Sequence, residues 1–317
     1  MILTIDIGNS NIVVGAWDNA ALKWTSRFQT RRDYTEDELM ASFNEVLCEM
    51  TQNMISDTEK GSDDHKCVCA YEGAILSSVV PEITDVTLNT LEKITGKRPL
   101  LMGPFLHTRV DISDYAPGAI GADRIVDMSA ALAIYGAPVM VCDLGTCTTI
   151  TVAGIADCES MCTDCLASDS VNEANDGHYL GKLIGGMICP GVQLSLDAEA
   201  QRASQLPQLS AEQVDSLLGK DTASNMMSGA VAATGLMLSE LADRIISGSY
   251  CQTMGSKMQG KCTGADKSEQ ESCPNLKVVI TGGLAEYVIP WIKCSAEVYY
   301  EQDLLLRGLY EIYRANS

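Results

Sequence analysis

The chain has 317 residues, 46% of them hydrophobic, with 22 lysines and arginines against 42 aspartates and glutamates. That length can bury a core of about two domains. The net charge of −20 repels nucleic acid and anionic membrane, and the basic pairs Arg31-Arg32 and Lys97-Arg98 are too isolated to reverse it. Neither is expected as a partner.

Met1 leads directly into the apolar run Ile2-Leu3-Thr4-Ile5, without the basic segment of a secretory signal. A strand pair is predicted over about 2–17, and Leu22 to Phe28 alternates as a third strand. Thr35 and Glu38 have the spacing of a capping box and open a helix to about Met50. Residues 56–68 are polar and read as a surface insertion. Glu72 to Val80 reads as a buried strand, followed by a helix at about 82–95 and a short strand over 99–102.

A helix over about 121–135 opens the second half, and strands follow at 139–143 and 148–153. The best apolar stretch, 125–142, is broken by Asp127, Ser129 and Gly136, so no membrane span is expected. Residues 157–176 carry six acids and no lysine or arginine, and read as a second insertion. Tyr179 to Pro190 resumes the sheet, and a long helix covers 222–247. Residues 249–275 form a third insertion; the strand Lys277 to Thr281 ends in Gly282-Gly283, and a helix over about 303–315 closes the chain.

One short device occurs twice. Residues 4–11 read T-I-D-I-G-N-S-N and residues 141–149 read V-C-D-L-G-T-C-T-T. In each, an aspartate (Asp6, Asp143) ends an apolar strand, a glycine (Gly8, Gly145) follows two residues later, and hydroxyl or amide residues lead into another apolar strand. Glycine lets backbone amides approach a phosphate. Asn9, Ser10, Asn11, Thr146, Thr148 and Thr149 offer further hydrogen bonds, and a strand-end aspartate can hold a hard cation through oxygen or its waters. Neither loop holds a lysine, which excludes the Walker-type phosphate loop. A single Asp-Gly turn is ordinary hairpin chemistry; two copies in matching contexts point to a nucleotide held between duplicated lobes, as in a phosphotransferase.

The chain resembles type III pantothenate kinases, in the acetate/sugar kinase–Hsp70–actin superfamily. The resemblance rests on D-I-G-N-S-N at 6–11, S-S-V-V-P at 77–81, G-A-D-R at 121–124, D-L-G-T-x-T-T at 143–149, P-G-V-x-L-S-L-D-A at 190–198, G-K-D-T at 219–222 and T-G-G-L-A at 281–285. It implies an α/β fold of two duplicated ribonuclease-H-like lobes of the actin-like ATPase superfamily, with the nucleotide cleft between them. The lobes are expected at 1–118 and at 119–317, the latter including the final helix and the insertions at about 157–176 and 249–275.

The implied activity is ATP-dependent phosphorylation of pantothenate to 4'-phosphopantothenate, the first step of coenzyme A biosynthesis. By the same resemblance Asp123 is the catalytic base, and Tyr115, Gly121, Ala122, Asp123, Arg124 and Thr222 bind pantothenate. Asp6, Ile7, Gly8, Asn9, Ser10, Asn11, Ile12, Val13 and Thr146 bind ATP. Asp143 holds a monovalent cation, K⁺ or NH₄⁺, and Asp6 is a candidate for Mg²⁺ through water. A cytoplasmic homodimer is implied. The alternatives are another small-molecule kinase of the superfamily and a non-catalytic ATP-binding regulator; retention of Asp6, Asp123, Asp143 and Thr146 argues against the latter.

The cysteines depart from this pattern. There are 13, an odd number, and Cys48, Cys142, Cys147 and Cys189 lie in apolar segments, which fits reduced thiols in the cytoplasm. Cys158, Cys162 and Cys165 have the spacing of a cluster-binding triad. No histidine or aromatic shell accompanies them, and the chemistry needs no redox centre; they are read as thiols in a surface loop.

Overall fold

The structure, a computed structural model, describes residues 1–56, 70–155, 179–248 and 275–317. The three insertions, with the thiols at 158, 162 and 165, therefore fall almost wholly outside the described residues.

The first sheet is built from β1 (Ile2–Ile7), β2 (Asn11–Asp18), β3 (Ala21–Gln29), β4 (Gly73–Ser78) and β5 (Leu100–Leu101), in the spatial order β3-β2-β1-β4-β5. The second contains β6 (Val110–Asp111), β7 (Val139–Leu144), β8 (Cys147–Gly154), β9 (Gly181–Pro190), β10 (Lys277–Thr281) and β11 (Glu297–Tyr300), in the order β11-β10-β7-β8-β9-β6. Set aside the short β6, and the two orders are the same. In each, three consecutive strands form an antiparallel meander, and two later strands add in parallel beside the first. The duplication seen in the two aspartate loops thus extends to whole lobes.

Helix α1 (Glu36–Ser56) and α2 (Pro81–Thr95) cover one face of the first sheet. Leu39, Phe43, Val46 and Met50 of α1 meet Leu3, Ile5, Ile7, Val14 and Leu76 in a fully enclosed core. The capping box at the start of α1 forms as expected: Glu38 N–H donates to Thr35 Oγ1 at 3.3 Å, and Thr35 N–H donates to Glu38 Oε2 at 2.9 Å. The helix runs about one and a half turns past the predicted end. In the second lobe, α4 (Val192–Arg202), α5 (Thr222–Met227) and α6 (Ala233–Ile246) cover the equivalent face. A π-helical turn over Ser228–Ala232 joins α5 to α6, so the predicted single helix is one helical run with an interruption. Two short segments, α7 (Ala285–Val288) and a 3₁₀ turn (Ile289–Trp291), follow β10.

The remaining helices lie between the lobes. α3 (Ala122–Tyr135) packs Met128, Ala131 and Leu132 on Val139, Val141 and Val279 of the second sheet. α8 (Leu304–Asn316), last in the chain, packs on the first sheet: Leu306 and Tyr310 meet Ile2 and Trp17, while Leu309 and Ile312 meet Ile75 and Val126 of α3. The Trp17 ring stacks on Tyr310 with centroids 4.7 Å apart, and its Nε1 donates to Thr4 Oγ1 at 3.0 Å. Each sheet is closed by a helix that follows the other. Among the described residues, no helix is long and apolar enough to cross a membrane.

Candidate active site

Strand parity decides which side chains face α3. Side chains alternate along a strand. Ile5 and Ile7 point into the α1/α2 core, so Asp6 points to the opposite face with Ile2 and Thr4. Val139 and Val141 point at α3, so Asp143 does too. Asp123 and Asp127 lie one turn apart on α3, between the two strand ends. The four carboxylates feel one another: Asp123 and Asp143 act on Asp6, and Asp143, Asp123 and Asp6 act on Asp127.

Burial and mutual repulsion keep these acids from ionising easily. Desolvation, then the Asp123 charge, push Asp6 up to about 7. The same two causes push Asp143 up to about 6. Asp127 is raised well above the usual carboxylate range, first by desolvation and then by Asp143. It is 3% exposed, and its Oδ1 has no hydrogen-bond partner. Among the described residues, no basic side chain offsets Asp6, Asp127 or Asp143.

The loops after β1 and β7 are closed in the same way. Gly8 N–H donates to Asn11 O at 3.0 Å, and Gly145 N–H donates to Cys147 O at 3.2 Å. Asn9, Ser10, Asn11 and Thr146 are exposed at the loop tips, while Ile7 and Ile12 anchor the first loop in the core and Val13 is half-buried. Thr30 fixes the first loop from β3, its hydroxyl donating to Gly8 O at 2.8 Å. Each acid also has a hydroxyl residue opposite it on the parallel neighbour: Ser77 beside Asp6 and Thr281 beside Asp143. Both are buried. Ser77 favours the charged form of Asp6 but lacks a well-formed hydrogen bond.

Arg124 is held rigidly. Its Nε donates to Thr151 Oγ1 at 2.9 Å, and one terminal nitrogen donates to Ile150 O at 3.0 Å. A side chain at Gly186 would displace that guanidinium. No carboxylate pairs with Arg124 among the described residues, which leaves its other terminal nitrogen for a ligand. Tyr115 lies near enough to feel the Arg124 charge, although burial raises its hydroxyl overall. Gly121 and Ala122 start α3, and the Arg124 N–H donates to Asp123 Oδ1 at 2.9 Å. The structure thus brings Tyr115, Asp123 and Arg124 together beside Asp6 and Asp143. Thr222 starts α5, exposed, with no side-chain hydrogen bond among the described residues.

Sequence reasoning missed Asp127, Ser77, Thr281 and Thr151. Ser77 and Thr281 lie within recognised motifs, but their pairing with the aspartates appears only once the sheets form. For Asp127 the signal was available: it follows Asp123 by four residues and sits between the apolar residues Val126 and Met128.

The two lobes of like strand order, each with an acid-glycine loop, have the actin-like ATPase fold. The family model described as type III pantothenate kinase matches residues 2–155 and 174–244, and the chain belongs to this family. A type III pantothenate kinase of Agathobacter rectalis is 30% identical over 317 residues, covering 100% of this chain and 98% of the relative. Among solved structures, a Baf-family protein from Campylobacter jejuni superposes with a TM-score of 0.50 at 14% identity, covering 99% of this chain and 98% of that one. At that identity the likeness speaks for the fold alone.

Proposed function

We propose specific roles for the cleft residues in the family's reaction, the phosphorylation of pantothenate by ATP to 4'-phosphopantothenate in coenzyme A biosynthesis. The observation that carries the assignment is the convergence of Asp6, Asp123 and Asp143 from two lobes and α3 on one cleft. Asp123, at the N-terminal turn of α3 and half-exposed, accepts the proton of the pantothenate primary hydroxyl. As the oxygen–phosphorus bond forms, the bond from the γ-phosphorus to the bridging oxygen breaks and ADP leaves. The transition state of such transfers is loose, so a modest base in the right place suffices. Arg124, fixed by Thr151 and Ile150, presents its free nitrogen to the pantothenate carboxylate, with Tyr115, Gly121 and Ala122 shaping the pocket. The 6–13 loop and Thr146 receive the ATP phosphates through backbone amides and side-chain hydroxyl or amide groups.

The residues fit bound cations. Asp6, Asp127 and Asp143, which have no basic counterpart among the described residues, and the partnerless Oδ1 of Asp127 suit a positively charged guest. Mg²⁺ gives up its waters reluctantly and is commonly held through them. Asp6 would hold Mg²⁺ through water, and Asp143 a monovalent ion, K⁺ or NH₄⁺. Such ions offset phosphate charge during transfer.

The lobes divide at 118/119 in this reading, and the enzyme works as a cytoplasmic homodimer. Two observations support the dimer. Met187 and Ile188 on β9 and Leu194 on α4 are 43%, 65% and 42% exposed, and Thr222 is exposed with no side-chain hydrogen bond among the described residues. The five described cysteines are free thiols, as a reducing compartment favours. Pantothenate-dependent ADP release, measured in Na⁺ and in K⁺ at constant ionic strength, tests the cation roles. Activity should be higher in K⁺ for the wild type, and Asp143→Ala should lose the difference. Equal rates in both salts for the wild type would refute the Asp143 site.

A further inference from the structure

Strands β8 and β9 hold the Arg124 side chain with groups that carry no charge. Ile150 and Val152 of β8 point into the core beneath α4, α5 and α6, and Ala153 points at α3. Thr151 therefore faces α3 as well. It is buried, and its Oγ1 accepts from Arg124 Nε at 2.9 Å, while Ile150 O accepts from a terminal nitrogen at 3.0 Å. Gly186 lies opposite Thr151 in the antiparallel ladder. A Cβ on Gly186 would stand 2.2 Å from that same terminal nitrogen and 2.2 Å from Ile150 O. Gly186 is not in the left-handed region, so the position needs glycine for room rather than for backbone freedom. Its neighbour Gly185 differs, since a Cβ there would meet nothing within 4 Å.

An arginine carries its N–H donors in one rigid plane. Thr151 and Ile150 each engage one of them, and no carboxylate pairs with Arg124 among the described residues. Neutral partners thus fix the plane without neutralising it, and the remaining donors and the charge are left for an anion. A long side chain loses rotamer freedom when it meets a ligand, and one that is held beforehand loses less.

We propose that Thr151 and Gly186 form a socket for the Arg124 guanidinium and are positioning residues for the pantothenate carboxylate. Thr151 anchors the guanidinium through Nε, and Gly186 leaves the gap that its terminal nitrogen occupies. Neither residue meets the substrate itself; both act through the aim of Arg124. The socket rests on the reading of Arg124 as the residue that meets the pantothenate carboxylate, and it adds to that reading the two residues that select substrate through it.

Initial rates of ADP release at saturating ATP and varied pantothenate test this in the full chain. Thr151→Val keeps the shape and removes the hydroxyl. It should raise the pantothenate KM about tenfold, the worth of one hydrogen bond to a charged group, with kcat and the KM for ATP little changed. Thr151→Ser should restore the wild-type KM. Gly186→Ala should raise the same KM at least as much, whereas Gly185→Ala should leave it unchanged. Adding Thr151→Val to Arg124→Ala should change kcat/KM no further, because the group it aims is gone. If Thr151→Val or Gly186→Ala fails to fold, the other decides under the same criterion. An unchanged pantothenate KM in the folded variants, or a full effect of Thr151→Val without Arg124, overturns the socket. Wild-type affinity in those variants beside a loss in Arg124→Ala refutes the socket alone. An Arg124→Ala enzyme with an unaltered pantothenate KM refutes the Arg124 role and the socket with it.

Discussion

Asp6 illustrates how one residue trades stability for function. A carboxylate raised to about 7 in the fold and ordinary, near 3.9, in the unfolded chain makes the folded state hold more protons between those values. Stability then falls as pH rises through that window and levels off above it. Asp6→Asn removes the penalty. The variant should melt above the wild type at pH 8 without metal or nucleotide, and close to it at pH 4. A scan of melting temperature against pH checks this; an Asp6→Asn protein less stable at pH 8 would mean that the aspartate is compensated in the free enzyme. At this scale sequence reading went as far as local motifs reach. The Asp-Gly loops and the G-A-D-R segment are contiguous, so their members could be named. Ser77 and Thr281 could not, because they gain meaning from parallel pairing with Asp6 and Asp143, across 71 and 138 positions.

Among the elements, the turn after β10 bears most directly on the site. Gly282 has φ +95°, and a Cβ there would stand 2.5 Å from Asp143 Oδ1 and 2.6 Å from the Leu144 backbone. A left-handed backbone strains any other residue, and the neighbour that must move is a cleft acid. Gly282→Ala should therefore cost about 1–3 kcal/mol in urea unfolding and lower the response to K⁺. Unaltered stability would show that the turn can relax. Long periodic elements were legible: β1 to β4, the helices α2 and α3 and the strands β7, β8 and β10 lie within a few residues of their sequence readings, and α1 starts where expected but runs about one and a half turns further. The short β6 and β11 and the helix α4 were not. Two to four residues carry too little period to stand out, and α4 begins at Val192 after Pro190-Gly191 without a side-chain cap to announce it.

The whole molecule repeats one lobe plan and exchanges its closing helices, α8 onto the first sheet and α3 onto the second. The exchange couples the lobes through Val126, Leu309 and Ile312 and could not be read from local pattern, since the contacts span most of the chain. The repeated plan also shows where added length is tolerated. β8 ends at Gly154 and β9 begins at Gly181, and the two are antiparallel neighbours with Gly154 opposite Lys182. The family model passes over the stretch between 155 and 174. A short Gly/Ser link in place of 157–176 can therefore close the hairpin, since loop closure depends only weakly on length. The shortened enzyme should keep turnover within a few-fold of the wild type. Loss of activity together with one bound metal or cluster per chain would make that segment a functional element.

In the roles proposed above, this cleft transfers phosphate to pantothenate with Asp123 as proton acceptor. Coupled ADP release with ATP, Mg²⁺ and pantothenate, run on the wild type and on Asp123→Asn, tests it most directly. Pantothenate-dependent turnover is expected in the wild type and a loss of about 10²–10⁴-fold in the variant, with ATP binding retained. Turnover of Asp123→Asn within a few-fold of the wild type, or a wild type that ignores pantothenate, would contradict it.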